Sequence, residues 1–177
     1  MEVLKAHPHT QAMLDAWQRL TDGENASDGP ATDEYPGLVN NLFLLTHVAE
    51  RDFAFRRVGA TLDRLFGRQL DEHDFLSIWN DVDRRLVAAG LSMAVKNRGP
   101  TVIHARGETL AGKRLDLEFA LAPLLHDDSG PRRFLGLCQA ITPEEALGGR
   151  PLRRLQVCAI FPPAPVMRPA LRLVASS

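Results

Sequence analysis

Apolar positions recur along this chain with two periods, and the switches between them mark its elements. Across residues 10–20, Met13, Leu14, Trp17 and Leu20 fall at i, i+1, i+4 and i+7, which is one stripe of a helix. Thr10 can cap the start of this helix and Asp22-Gly23 can end it. The stripe covers either the chain's own sheet or a second copy or partner. Residues 21–36 are rich in Asp, Gly, Pro, Ser and Asn and offer little to bury, so they predict a loop or tether. Residues 38–48 are apolar on both alternating faces, Val39, Phe43 and Leu45 on one and Leu38, Leu42, Leu44 and Val48 on the other. A strand of that kind is covered on both sides. A polar turn at residues 50–52 leads into a second strand, with Phe53 and Phe55 on one face and Arg56 on the other, which predicts a hairpin.

A short helical piece follows at residues 60–66, and Gly67 stands where a left-handed C-terminal residue belongs. Phe75, Ile78, Trp79, Val82, Leu86, Ala89 and Met93 are then spaced by threes and fours, predicting a long helix across the concave face of a sheet, ended by Asn97-Arg98-Gly99-Pro100. Three strands complete the sheet, the first at residues 101–106. In the second, Leu115, Leu117, Phe119 and Leu121 alternate with Arg114, Asp116 and Glu118, so one face is expected to be buried. A turn at residues 126–131 separates it from a last strand at 133–141, apolar on both faces. Residues 155–160 form either an extra strand on the domain or a contact with a partner, and the prolines from 162 to 169 exclude a helix or central strand.

A chain of 177 residues, 45% hydrophobic, holds one core with extensions. The expected division is an N-terminal helix and linker at 1–36, a domain at 37–143, and a partly proline-rich extension at 144–177. With 21 Lys and Arg against 22 Asp and Glu, no global field draws the chain to nucleic acid or an anionic membrane, and neither is an expected partner. No leader-like start and no bilayer-length apolar run is present, so a cytoplasmic location is expected. Cys138 and Cys158 lie far apart in apolar surroundings and are expected to be buried thiols.

Signatures of catalysis are missing, and the chain is read as a non-enzyme. A catalytic site would need Asp116, Glu118 and His104 in one cavity, yet the first two should face away from the core. His7-Pro8-His9 could hold a metal only with help from elsewhere, so no metal site is predicted. The run Asp71-Glu72-His73-Asp74 is either a proton-sensitive histidine among carboxylates or an acidic cluster leading a helix. Arg150, Arg153 and Arg154, beside Gly148-Gly149, could meet phosphate groups, including those of a cyclic dinucleotide, or lie on a solvated linker.

The order of a Phe-x-Phe-Arg strand at Phe53, then Val58-Gly59, Leu-x-x-Leu-Phe-Gly from Leu62 and Phe-Leu-x-x-Trp from Phe75 resembles a PAS domain. More narrowly, it is similar to the small single-domain PAS family common in alphaproteobacteria. The resemblance covers roughly residues 14–143, including the Leu-x-x-Trp helix and the final Phe-Leu-Gly-Leu-Cys-Gln-Ala-Ile-Thr strand. It implies an α+β PAS fold, a five-stranded antiparallel sheet with helices on one face and an N-terminal amphipathic helix. The first and last strands then lie side by side in the middle.

PAS domains are sensor and interaction modules, so the resemblance implies a regulatory module in signal transduction. Its partner would be a sensor kinase of a two-component system, or that kinase's regulator. A homodimer is also expected, with Met13, Leu14, Trp17 and Leu20 as the candidate partner or dimer surface. The alternative is a small-molecule sensor whose apolar pocket is lined by Phe66, Trp79, Leu86, Met93, Phe119 and Leu137, unless these residues simply fill the core. No cofactor is identified. Flavin photochemistry is disfavoured because residues 66–74 hold no cysteine, and haem because residues 75–93 hold no histidine.

Overall fold

The computed structural model describes residues 6–21, 37–49, 52–124 and 132–163. The helices are α1 (Pro8–Thr21), α2 (Leu38–Asn41), α3 (Ala60–Phe66) and α4 (Asp81–Asn97), with single 3-10 turns at Phe75–Ile78 and Glu144–Leu147. The strands are β1 (Leu42–Ala49), β2 (Asp52–Val58), β3 (Thr101–Thr109), β4 (Arg114–Leu124), β5 (Arg133–Ala140) and β6 (Leu152–Phe161). They form one antiparallel sheet in the order β2-β1-β5-β4-β3-β6. β1 and β5 are central neighbours, pairing Phe43 with Gly136 and Leu45 with Phe134.

The sheet has six strands rather than the expected five. β6 pairs with β3, setting Ile160 against Ile103 and Leu155 against Gly107. It brings Leu152 and Leu155 into the core at 1% and 0% exposure, and so covers an edge that β3 would otherwise leave open. A β-carbon at Gly107 would stand 2.7 Å from a Leu152 methyl, so the glycine permits that approach.

Helices pack on both sheet faces. On the inner face, α3, α4 and the turn at Phe75–Ile78 enclose a cluster of rings. Trp79 lies 5.3 Å from Phe119, Phe43 5.5 Å from Phe55, and Phe75 5.9 Å from Trp79, mostly edge to face. On the outer face, Met13 and Trp17 of α1 pack on Val102, Ala120, Ala122 and Leu137. β5 is buried on both faces at Phe134, Leu137 and Cys138. β1, expected to be covered on both sides, buries Phe43 and Leu45 inward but leaves Leu42 and Leu44 half-buried and Val48 exposed on its outer face, where α1 packs mainly on β4 and β5. β4, expected to bury one face, is buried on both, because Ala120, Ala122 and even Glu118 lie beneath the N-terminal segment.

The long helix expected from Phe75 is broken at Trp79 and Asn80. Trp79 is extended and bridges to Leu155, and the Asn80 side chain accepts the Asp83 N–H at 2.8 Å to start α4 afresh. The break resets the helical phase. Val87, Gly90, Leu91 and Ala94 form the buried face, while Val82, Leu86 and Met93 are 85%, 50% and 44% exposed.

Other expectations also shift. Residues 38–41 form α2 rather than strand, and Val39 is exposed. Gly67 does end α3 in the left-handed region, at φ 62°. Cys138 is buried, which pushes its thiol pKa well up, but Cys158 is exposed. The turns at residues 50–51 and 126–131, the tether at 22–36 and the proline-rich tail beyond 163 lie outside the described residues.

Gly136 tests the central pairing, because any β-carbon there would collide with the Phe43 ring. The Gly136→Ala variant is expected to lose about 1–3 kcal/mol of stability, read from its urea midpoint. An unchanged midpoint would show that the ring is not held over β5.

Candidate functional site

The outer sheet face divides into an apolar half under Met13 and Trp17 and a polar row beside it. Strand register alone builds the row, setting His104 of β3 opposite Glu118 of β4 and Glu118 opposite Gln139 of β5. Glu118 is 2% exposed. One carboxylate oxygen accepts the His7 backbone N–H at 3.0 Å, and the other lies 2.9 Å from His104 Nε2. Gln139 Oε1 accepts from Asn41 Nδ2 at 2.7 Å and is 2.8 Å from His9 Nδ1. The His7 and His9 rings meet edge to face at 5.1 Å. At the far end of α1, Trp17 Nε1 donates to the Pro123 carbonyl at 2.9 Å.

The N-terminal segment is thus fastened by a buried carboxylate at one end and a Trp anchor at the other. Burial is the main cause that lowers the His7 pKa, with the neighbouring His9 adding to it and Glu118 opposing it. His7 and His9 are engaged with Glu118 and Gln139, and no group of metal-ligating side chains converges among the described residues. Of the trio a catalytic site would need, His104 and Glu118 meet, whereas Asp116 pairs with Arg106 at 2.8 Å in the next row. Both carboxylates do point away from the aromatic core.

The six candidate pocket residues do not share one cavity. Phe66, Trp79 and Phe119 lie in the inner core, Leu137 is on the opposite face beneath α1, and Leu86 and Met93 face solvent. The causes are the phase reset at Asn80 and the alternation of β5, which points Leu137 away from its neighbour Cys138. Trp79 Nε1 is buried without a hydrogen-bond partner among the described residues. Of the candidate partner surface, Met13 and Trp17 are buried on the chain's own sheet at 2% and 9% exposure, Leu14 is half-buried, and Leu20 remains 57% exposed.

The acidic run is a cap. The Asp74 side chain accepts the Leu76 N–H at 2.9 Å, Glu72 pairs with Arg56, and His73 is exposed. Arg150, Arg153 and Arg154 are exposed where the chain enters β6. Sequence reasoning missed the polar row, since His104, Glu118 and Gln139 come from three separated segments and only their register joins them. The Arg84-Arg85 pair was a visible signal that it also passed over.

A family model described as a PAS domain matches residues 5–139. The chain belongs to the PAS domain family. PAS domains form a family of sensory and signalling modules. Among solved structures, a LOV protein of Rhodobacter sphaeroides is 14% identical with a TM-score of 0.47, the match covering 60% of this chain and 62% of that one. The light state of the blue-light photoreceptor Aureochrome1 LOV is 12% identical with a TM-score of 0.47, covering 66% and 93%. An RNA-binding light-oxygen-voltage receptor is 14% identical with a TM-score of 0.46, covering 66% and 35%. The PAS chain thus spans about three fifths of the Rhodobacter protein's length. No curated protein matches it. Among the described residues, no helix is long and apolar enough to cross a membrane.

Two measurements test the row. The docked His7 binds protons less readily than a free histidine, so docking of α1 is complete above the ordinary histidine value of 6.5 and weakens as the pH falls through it. The Trp17 indole N–H signal in NMR should report this loss, and the His7→Ala variant should flatten that part of the profile. A wild-type signal that ignores pH would refute the linkage. Glu118→Ala, which strips partners from His104 and the His7 N–H, is expected to cost about 1–3 kcal/mol in thermal or urea unfolding.

Proposed function

We propose that this PAS domain is a regulatory module without catalytic activity of its own, which acts in signal transduction by docking on a sensor kinase or that kinase's regulator. One observation carries the reading. Val82, Leu86 and Met93, with exposed Ala89 between them, make an apolar stripe along the outer side of α4. Single exposed apolar side chains are ordinary, but four spaced by four, three and four present the anchor pattern of a helix laid into a partner's groove. The other candidate surface, α1, already uses Met13 and Trp17 on its own sheet, which turns the docking reading toward α4.

The test is a Leu86→Asp, Met93→Asp double variant, whose substitutions are on the surface and should leave the melting temperature unchanged. The sensor kinases of the host are purified and assayed one by one for autophosphorylation with and without the PAS protein. The wild type is expected to change the rate of one of them, and the variant to need at least about tenfold more protein for the same effect. A variant as potent as the wild type, or no kinase affected, would defeat the reading.

A second reading is supported by Trp79. Its buried, unpartnered indole N–H lies among Phe75 and Phe119, where leaving a donor unsatisfied is costly. A small molecule bearing a hydrogen-bond acceptor would satisfy it and, by binding one conformation better, would make the domain a sensor. Neither flavin nor haem is part of either reading. Native mass spectrometry of protein from its own host should show a retained small molecule that Trp79→Phe loses.

A further inference from the structure

Beside the docking stripe, and sharing Ala89 with it, α4 borders a cleft of about 560 Å³, within the range of small-molecule sites. Its floor is apolar, made by Phe53 of β2, Leu76 of the first 3-10 turn, and Ala88 and Val95 of α4. Phe53 is clamped edge to face between His47 at 5.1 Å and Phe134 at 5.4 Å, so the floor is firm. Three guanidinium groups stand around it, Arg84 and Arg85 from α4 and Arg132 from the segment entering β5.

Among the described residues, the charges around this cleft lean positive. Arg84 has an exposed Asp81 at 3.3 Å, but Arg85 and Arg132 have no carboxylate partner among the described residues. Asp74, the one carboxylate among the described lining residues, accepts the Leu76 N–H and offsets part of the positive charge. The Arg132 carbonyl accepts the His47 N–H at 2.8 Å, which pins the backbone that carries this guanidinium to β1. Like charges gathered on a concave apolar floor repel one another until an anion neutralises them, and guanidinium forks match carboxylate and phosphate oxygens.

We propose that this cleft between α4 and the β1–β2 hairpin binds a small organic anion, a carboxylate or phosphate monoester head held by Arg85 and Arg132 with an apolar body seated on Phe53 and Leu76. The site is separate from the ring cluster around Trp79, and it stands or falls independently of the docking reading.

Phenyl phosphate is the probe, titrated into isotopically labelled protein and followed by NMR. Saturable shifts are expected at His47, Phe53 and along residues 84–95, with binding at least about tenfold weaker in the Arg85→Ala, Arg132→Ala double variant. Benzyl alcohol, which lacks the charge, should bind at least about tenfold more weakly, and so should inorganic phosphate, which lacks the apolar body. Shifts confined to other surfaces, or undiminished binding by the double variant, would overturn the site. Equal binding of benzyl alcohol would overturn its anion selectivity, and equal binding of inorganic phosphate its apolar half. A Leu86→Ala, Met93→Ala protein, which trims the docking stripe without adding charge, should bind the probe like wild type, so failure of the docking surface and failure of the cleft give different results.

Discussion

A sheet whose central strands carry apolar side chains on both faces needs a cover on each side, and the architecture of this PAS domain follows from that need. β1 and β5 send Phe43, Leu45, Phe134 and Cys138 inward and Leu42, Leu44, Leu135 and Leu137 outward. The inward set is closed by helices and an interlocked group of rings. Of the outward set, α1 covers Leu137 fully and Leu42 and Leu135 in part, and burial of Met13 and Trp17 contributes about 1.5–3 kcal/mol each.

The outer cover fits because the sheet and the helix change character at the same level. Where α1 presents Met13 and Trp17, the sheet presents Ala120, Ala122 and Leu137, and where the segment presents His7 and His9, the sheet presents Glu118 and Gln139. A buried carboxylate is tolerated only while its partners stay in place, so Glu118 makes the position of the N-terminal segment specific as well as stable. Burial of His7 in the docked segment, opposed by Glu118, links docking to protonation. Two of the open surfaces adjoin along α4, one apolar and the other ringed by arginines, so a change in that helix would reach both.

Element order, most element types and the two-faced burial of β5 could be read from the chain because alternation and 3.6-residue spacing are local properties, whereas the outer face of β1 is only half-buried. Gly67 could be placed for the same reason. Where a reading needed phase carried across a break, it failed. The pattern from Phe75 to Met93 looked continuous, but the extended Trp79 and capping Asn80 rotate the rest of the helix, so Leu86 and Met93 moved from the expected core to the surface.

Only the tertiary structure decided which distant segments share a level of the sheet. Cross-strand register joins His104, Glu118 and Gln139, and the fold of the chain brings Arg132 to the flank of α4 that carries Arg84 and Arg85. The sequence left open whether residues 155–160 formed a sixth strand, because a strand's own pattern does not name its neighbour. By itself it determined which side chains must leave water. Which of them meet depends on hydrogen-bond register and helix phase, and both are set by contacts between residues far apart in the chain.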